Sequence, residues 1–464
     1  MISENPYSRE TRPDPPAPGR QRPLSRRAFL RLAGAAAGSA ALAACTTPGT
    51  RPEPVTGEKV QLVYQDWRTE WFPEMAQQML AGFHASHPNI RVFFTMDPDN
   101  LVEQMPLDME AGTAPDVLAG CCDFLPAWAQ QGYLLDLSPY VAADLDRATT
   151  DEWDPAQYKA FFTADGHQFA LPKYHGALAL YYNKDLFDEY RVDYPNASWT
   201  HDDYLEAMKR LTHDRAGDGQ IDLWGSMLDI AWERLQVHVN SWGGRFVNPA
   251  DNRLSLMDAP SSLEAMEWLR ARMWDDRVMA SFLDVQNIET RQAFINQRIA
   301  MVEDGSWSLK DILAAADFRI GVAPFPAGPV RRVTLATTDG FAIYAGTRHP
   351  EAAWELLKFL VSREYGRAMA RANFLQPARA SLVDEWIQLI RTEFPRDAQE
   401  IELAAFAEGH LQGYSVTAEI FADQTDAGRL AHAAWEQIYT LGREPVSLMN
   451  DVSAQIEASQ RSAG

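Results

Sequence analysis

The chain has 464 residues, a length that predicts two or three domains. Hydrophobic residues make up 46% and charged residues 23%, which excludes a disordered or fibrous protein. Lys and Arg total 42 against 64 Asp and Glu, and the resulting net charge of −22 argues against a nucleic-acid binder. The three cysteines exclude a disulfide-stapled scaffold, and 14 tryptophans are a high share for this length.

The N-terminal segment predicts export and membrane anchoring. The sequence SRRAFL at 25–30 resembles a twin-arginine export signal, and the uncharged stretch at 32–44 is too short to cross a membrane. The sequence LAAC at 42–45 resembles the lipobox of bacterial lipoproteins, whose cysteine carries a diacylglycerol. We therefore expect a signal peptide at 1–44, with a disordered N-terminal extension, lipidation of Cys45 and a tether at 45–57. The alternative is a plain anchor helix beside an unremarkable cysteine.

From residue 58 onward, hydrophobic periodicity predicts alternating strands and helices, an α/β fold with right-handed βαβ units and a parallel sheet. The predicted strands cover 61–64, 90–96, 114–118, 169–172, 177–182, 298–302, 318–323 and 340–344. The predicted helices cover 71–87, 100–111, 124–131, 200–211, 261–274, 288–296, 350–361, 381–391, 399–408, 424–440 and 447–460.

Two local sequence patterns are weak candidates for metal-binding or thiol chemistry. Adjacent Cys121 and Cys122 predict two buried thiols, because a disulfide between neighbours is strained and no metal-ligand companion lies at the usual spacing. The segment 214–222 is similar to a calcium loop at four positions, but position 12 is Gly225 instead of the bidentate Glu. We interpret it as a surface turn, with calcium binding as the open alternative.

Four ordered segments resemble the extracellular solute-binding proteins of ABC importers, specifically the carbohydrate-binding family that includes maltose-binding protein. They are TAPDV at 113–117, LP with ALYYNKDLF at 171–187, AF with RIAM and GSW at 293–307, and DGFAI with HPEAAWELLKFL at 339–360. The order and spacing hold over residues 60–380. The turn at 296–297 departs from the pattern, and the chain beyond 380 matches least.

The resemblance implies a periplasmic-binding-protein type II fold, in which two α/β lobes are joined by a hinge and enclose a ligand cleft. By analogy, lobe 1 comprises 58–175 and 332–376, and lobe 2 comprises 176–331 and 377–464. It also implies a monomer that captures solute by lobe closure and delivers it to separate ABC permease and ATPase chains, with no cofactor and no metal.

Sugars require aromatic platforms for their apolar ring faces and planar polar groups for their hydroxyls. Strand ends and hinge crossings supply the ligand-binding candidates, and the resemblance adds the tryptophans of the second lobe. The candidates are Asp66, Trp67, Glu70, Asp116, Tyr174, Trp232, Trp242, Glu303, Trp307, Asp339 and Arg379. For each, a packing, capping or ion-pair role is the alternative.

We expect a sugar-binding lipoprotein outside the cytoplasmic membrane. One alternative is the same fold with a polyamine or a glycerol phosphodiester as its solute. The other is a secreted carbohydrate-active enzyme, which would need paired carboxylates, and we find no catalytic motif for it.

Overall fold

The structure, a computed structural model, describes residues 59–121, 124–396 and 398–462. The predicted export signal, Cys45, the tether and Cys122 lie outside the described residues. Within them, no helix has the length and apolarity needed to span a bilayer.

The strands are short, and most are buried. They are β1 Val60–Asp66, β2 Ile90–Met96, β3 Val117–Gly120, β4 Leu171–Pro172, β5 Leu178–Asn183, β6 Ser226–Met227, β7 Met279–Ala280, β8 Met301–Gly305, β9 Ile320–Ala323, β10 Thr334–Leu335, β11 Gly340–Ile343 and β12 Ser415–Val416.

The α-helices lie between these strands and after them. In chain order they are α1 Phe72–Ser86, α2 Leu101–Ala111, α3 Phe124–Gln130, α4 Ser138–Asp144, α5 Arg147–Thr150, α6 Pro155–Ala160, α7 Lys184–Glu189, α8 His201–Leu211, α9 Trp232–Ser241, α10 Pro260–Trp274, α11 Thr290–Ile295, α12 Leu309–Ala315, α13 Pro350–Leu360, α14 Arg363–Asn373, α15 Val383–Glu393, α16 Ala405–Gln412, α17 Gln424–Trp435 and α18 Leu448–Ser462.

In the described part of the chain, the larger sheets have the strand orders β2-β1-β3-β11-β4 and β8-β5-β9. β1 pairs in parallel with β2 and β3, as the sequence predicts for strands joined by helices. β11 is antiparallel to both β3 and β4, and β5 is antiparallel to both of its neighbours. The sheets are therefore mixed or antiparallel, which the periodicity of the sequence did not predict.

Both sheets are covered on their two faces. Alternate residues of β5 face different hydrophobic cores. Leu180 and Tyr182 face one core, and Ala179 and Tyr181 face the other. In β11, Phe341 likewise faces one core, and its neighbour Ala342 faces another. Because side chains alternate along a strand, a run of apolar residues with no polar alternation is the pattern of a sheet between two helical layers.

The chain passes between the two sheets at three places, after β4, between β9 and β11, and after α14. The crossing segments bond to one another: the His175 amide donates to the Gln376 carbonyl at 2.9 Å, and the Thr337 amide to the Gly176 carbonyl at 2.9 Å. These backbone bonds join the crossings side by side, the arrangement expected of a hinge.

Three local expectations are corrected. The strand predicted at 298–302 begins at Met301, since the preceding residues turn and only Ile299 bridges to Trp224. The helix predicted at 399–408 begins at Ala405 and ends at Gln412, where Gly413 takes a left-handed conformation. Cys121 is disulfide-bonded, so the prediction of a free thiol there is wrong. The other two cysteines of the chain lie outside the described residues.

The start of α8 illustrates how the sequence sets a helix boundary. The Thr200 hydroxyl accepts from the Asp203 amide, and the Asp203 carboxylate accepts from the Thr200 amide at 2.8 Å and its hydroxyl at 2.7 Å. This capping box satisfies amide donors that the first helical turn leaves without partners.

We expect Thr200→Ala to lower the free energy of unfolding by about 1 kcal/mol, because it removes the side-chain half of this cap. Urea unfolding of both proteins measures the difference. Thr392→Ala is the control, since Thr392 is also exposed and its hydroxyl bonds only to the Gln388 carbonyl of its own helix. Equal effects of the two substitutions would contradict a capping role.

Candidate functional site

Charged residues meet at one edge of the five-stranded sheet. β1 ends at Asp66 and β2 is followed by Asp97, while Lys173 follows β4 and Asp339 precedes β11. Because β4 and β11 run antiparallel, the Lys173 amide donates to the Asp339 carbonyl at 3.0 Å. These four residues, called the edge cluster below, contain three carboxylates and one cation.

Lys173 and Asp66 form a fully buried ion pair. The Tyr64 hydroxyl donates to the second oxygen of Asp66, and the Trp67 amide donates to the first at 2.6 Å. The Lys173 ammonium also lies 3.1 Å from the centroid of the Trp67 ring, a cation–π contact. Burial lowers the pKa of Lys173 while the Asp66 carboxylate raises it, so this partner stabilises the charged ammonium.

The other two carboxyl groups of the edge cluster, those of Asp97 and Asp339, bind a proton more readily than an ordinary aspartate does. Burial, with the nearby Asp66, raises the pKa of Asp97 to about 6. Burial also raises the pKa of Asp339 to about 6, against the opposing effect of Lys173. One cation therefore serves three carboxylates, and the edge keeps acceptor oxygens beside an aromatic surface.

The aromatic surface consists of Trp67 and Tyr174, whose ring centroids lie 5.6 Å apart in an edge-to-face arrangement. Trp67 is partly exposed, whereas Tyr174 is buried. Glu70 lies exposed in the loop between β1 and α1. Of the sequence candidates, the structure thus brings Asp66, Trp67, Tyr174 and Asp339 together and leaves Glu70 free in solvent.

The second sheet contributes an edge at the end of β8. Arg234 of α9 donates to the Glu303 carbonyl at 2.8 Å and to Asp304 Oδ1 at 3.1 Å, and Arg291 donates to Asp304 Oδ2 at 2.9 Å. Burial raises the pKa of Asp304, but the two arginines outweigh it and hold that pKa below the ordinary value. The Arg234 guanidinium lies 5.6 Å from the centroid of the Trp307 ring.

Trp307 connects the two edges. Its partly buried ring packs against the core of the first sheet and also against the small cluster containing Leu178 and Phe325. A Cβ on Gly305 would lie 2.3 Å from this ring, and one on Gly176 would lie 3.1 Å away. The ring therefore occupies the space that these two glycines leave, beside the first hinge crossing.

The lobes also leave an open groove between them. Cavities of about 430, 370 and 710 Å³ are lined by helices α3 and α6 and by segments 248–253 and 415–425. Adjacent cavities share lining residues, including Asn252 and Ala422, so they form one groove. α3 begins just after β3 ends, whereas the four residues of the edge cluster do not line these three cavities.

Several candidates have packing roles instead. Trp232 and Trp242 are 7% and 6% exposed, and both lie in the core around α9, where little ring face remains for a solute. The Trp232 indole donates to the Glu419 carbonyl at 2.9 Å, and Trp242 contacts the His201 ring at 4.6 Å.

Three charged candidates are also held by structural contacts. Asp116 accepts from the Val63 amide at 2.8 Å and the Thr347 hydroxyl at 2.5 Å, which joins β1 to the turn after β11. Arg379 donates to the Val361 carbonyl and lies 5.2 Å from the Trp153 ring. Glu303 is buried against His238 at 2.9 Å.

Three residues of this region, Lys173, Asp97 and Arg234, are not among the candidates predicted from the sequence. Lys173 and Asp97 directly follow strands that were predicted correctly, so the strand-end argument that selected Asp66 also applies to them. Arg234 lies inside a helix and its partners come from residues about 70 positions later, a pairing that no local pattern indicates.

In the segment 214–222, the carboxylate of Asp214 has a structural role. Asp214 accepts from the amides of Gly217 at 2.6 Å and Gly219 at 2.7 Å, so its carboxylate stabilises the turn. Among the described residues, the grouping that could hold a metal ion is Asp154, His175 and His410, outside this turn.

The raised pKa of Asp97 predicts a pH-dependent stability. Between its ordinary value of 3.8 and about 6, the folded chain retains a proton that the unfolded chain releases, so stability falls as pH rises through this window. We expect Asp97→Asn to stabilise the protein more at pH 7 than at pH 4.5, as measured by urea unfolding. Asp99→Asn, at an exposed position of the same loop, is the control. An Asp97→Asn effect that is the same at both pH values would contradict this electrostatic account.

Comparisons with known proteins identify the family to which this architecture belongs. The family model for bacterial extracellular solute-binding proteins matches residues 65–367. The maltodextrin-binding protein of Bacillus subtilis is 29% identical over 336 residues, covering 68% of this chain and 72% of that protein.

Two solved structures have the same fold. An ABC substrate-binding protein from Listeria monocytogenes, in complex with cycloalternan, has a TM-score of 0.72 at 23% identity over 88% of this chain and 99% of its own. UgpB from Mycobacterium tuberculosis, in complex with glycerophosphocholine, has a TM-score of 0.68 at 17% identity over 88% and 98%. The predicted fold, two α/β lobes of the periplasmic-binding-protein type II class, is confirmed. The chain belongs to the bacterial extracellular solute-binding protein family.

Proposed function

We propose that this protein captures a sugar, a mono- or oligosaccharide, between its two lobes and delivers it to an ABC permease. The observation that carries this proposal is the pair of partly buried indoles, Trp67 beside the edge cluster and Trp307 after β8, which both pack against the core of the first sheet. Each is bordered by hydrogen-bonding charged groups, and this combination suits a ligand with apolar ring faces and peripheral hydroxyls.

The state of the charges disfavours an anionic solute. Lys173 and Arg234, the cations of the two edges, are each already paired with a carboxylate, Asp66 and Asp304 respectively. An anionic solute would have to compete for those cations, whereas a neutral solute would not.

The mechanism is capture without bond breaking. A solute that bridges the edges of both lobes stabilises the closed form, and the paired crossings supply the hinge about which the lobes rotate. We place lobe 1 at 58–175 with 332–376 and lobe 2 at 176–331 with 377–464. Export through the twin-arginine signal and lipidation of Cys45 would hold the protein, as a monomer, outside the cytoplasmic membrane near its permease.

A polyamine or a glycerol phosphodiester is the alternative solute. The three carboxylates against one lysine of the edge cluster favour a polycation. A phosphodiester has structural precedent, since UgpB binds glycerophosphocholine with this fold. A secreted carbohydrate-active enzyme remains the least favoured alternative.

Thermal unfolding against a defined panel separates these possibilities. We expect maltose, maltotriose or raffinose to raise Tm and spermidine and glycerophosphocholine to leave it unchanged, because a ligand stabilises by RT ln(1 + [L]/Kd). A Tm rise with spermidine or glycerophosphocholine alone would contradict the sugar proposal. Hydrolysis of any sugar in the recovered solution would contradict pure capture.

For the sugar that responds, we expect Trp307→Leu to weaken binding about fivefold, since an aromatic stacking contact is worth about 1 kcal/mol beyond its buried area. Calorimetric titration measures the change. Trp274→Leu is the matched control, a partly buried indole at the end of α10 that bonds to the Tyr439 carbonyl. Equal losses in the two variants would remove Trp307 from the site.

A further inference from the structure

Three metal-ligating side chains converge beside the hinge. Asp154 precedes α6, which packs against β4 of the first sheet, and His175 lies on the first crossing. His410 lies on α16, whose residues Phe406 and Ala407 belong to a core of the second sheet. The three, called the hinge triad below, are 1%, 0% and 9% exposed.

The donor atoms of the hinge triad are close enough for one ion. Each residue offers an atom within 4.8 Å of the others, and Asp154 Oδ2 lies 3.2 Å from His175 Nε2. Two ligands of a tetrahedral zinc ion lie about 3.3 Å apart, given metal–ligand bonds of about 2.0–2.1 Å. The first pair already has this spacing, and His410 needs to approach by at most about 1.5 Å.

Each residue of the triad is oriented by a further contact. Asp154 Oδ1 accepts from the amides of Ala156 at 2.8 Å and Gln157 at 3.1 Å, which leaves Oδ2 directed at the imidazoles. The backbone of Trp153 lies beside the His410 imidazole. His175 Nδ1 lies 3.2 Å from the side-chain amide of Gln376. Partners of this kind fix ring orientation and tautomer in metal sites.

The side-chain amide of Gln376 allows the tautomer of His175 that a metal ion requires. Its Oε1 is buried without a hydrogen-bond partner, while its nitrogen faces His175. The two amide orientations are a matter of assignment. In the opposite orientation Oε1 accepts from His175 Nδ1–H, and His175 Nε2 then carries the free lone pair that a metal ion requires.

We propose that Asp154, His175 and His410 form a binding site for a divalent transition metal ion of the zinc class. Two imidazoles and one carboxylate are borderline donors that suit Zn²⁺ better than Ca²⁺ or Mg²⁺, which prefer all-oxygen sets. Three protein ligands leave a fourth position for water. The site is separate from the edge cluster and does not depend on which solute the protein carries.

The position of the site gives it a structural consequence. An ion held by all three ligands ties a loop of the first lobe, a hinge crossing and a helix of the second lobe to one point. Because binding would stabilise the folded chain, Zn²⁺ would raise its Tm by the same linkage that applies to a solute.

The test uses the full-length chain, dialysed against a chelator and then titrated with Zn²⁺. We expect about one Zn²⁺ per chain by elemental analysis, with Zn²⁺ affinity reduced at least about tenfold in both His410→Gln and Asp154→Asn. Asn also caps helices well, so Asp154→Asn retains the start of α6 while it removes the carboxylate. His432→Gln is the control, an exposed histidine on α17 that lies outside the hinge triad.

Substitution of Co²⁺ adds a spectroscopic readout. The proposal predicts visible absorption bands of a nitrogen- and oxygen-ligated site that His410→Gln abolishes and His432→Gln leaves. Zn²⁺ binding that is absent, or unchanged in both triad variants, would overturn it and leave the hinge triad as a buried hydrogen-bonded cluster only. Thiolate-to-cobalt charge-transfer bands would assign the bound metal to cysteine and overturn it equally.

Discussion

The buried ion pair between Lys173 and Asp66 is the interaction on which the arrangement of the site depends. It joins the end of β1 to the start of the first hinge crossing, and the Lys173 backbone joins both to Asp339. Without the ammonium, three carboxylates would share a poorly hydrated edge, and breaking such a pair costs about 3–5 kcal/mol. The lysine also lies on the Trp67 ring, so one side chain sets the charge of the edge and the position of its aromatic surface.

The same strand ends explain what the sequence could predict. Strand and helix positions follow from apolar periodicity, and short polar segments after β1 and before β11 correctly identified residues that meet at one edge. The resemblance of four ordered segments supplied the two-lobed fold. Antiparallel insertion of β11 between β3 and β4 could not be predicted, because its residues are equally apolar in either direction.

Other parts of the site depend on distant partners. Arg234 acquires its role from Glu303 and Asp304, far along the chain, and Asp154 meets His410 only after both lobes have folded. The tryptophans show the same limit of prediction from local sequence. Trp232 and Trp307 are both apolar and both follow acidic residues in the sequence, yet one lies inside a core and the other at the junction of two lobes.

The central claim is that a solute is held between the edge of the five-stranded sheet and the edge formed by the end of β8. A crystal structure of the protein with its solute bound tests this most directly. The account predicts an intact sugar in contact with residues of both edges, including Trp67 and Trp307, and lobes that enclose it. A solute bound to one lobe alone, in a place that leaves both indoles uncovered, would contradict it.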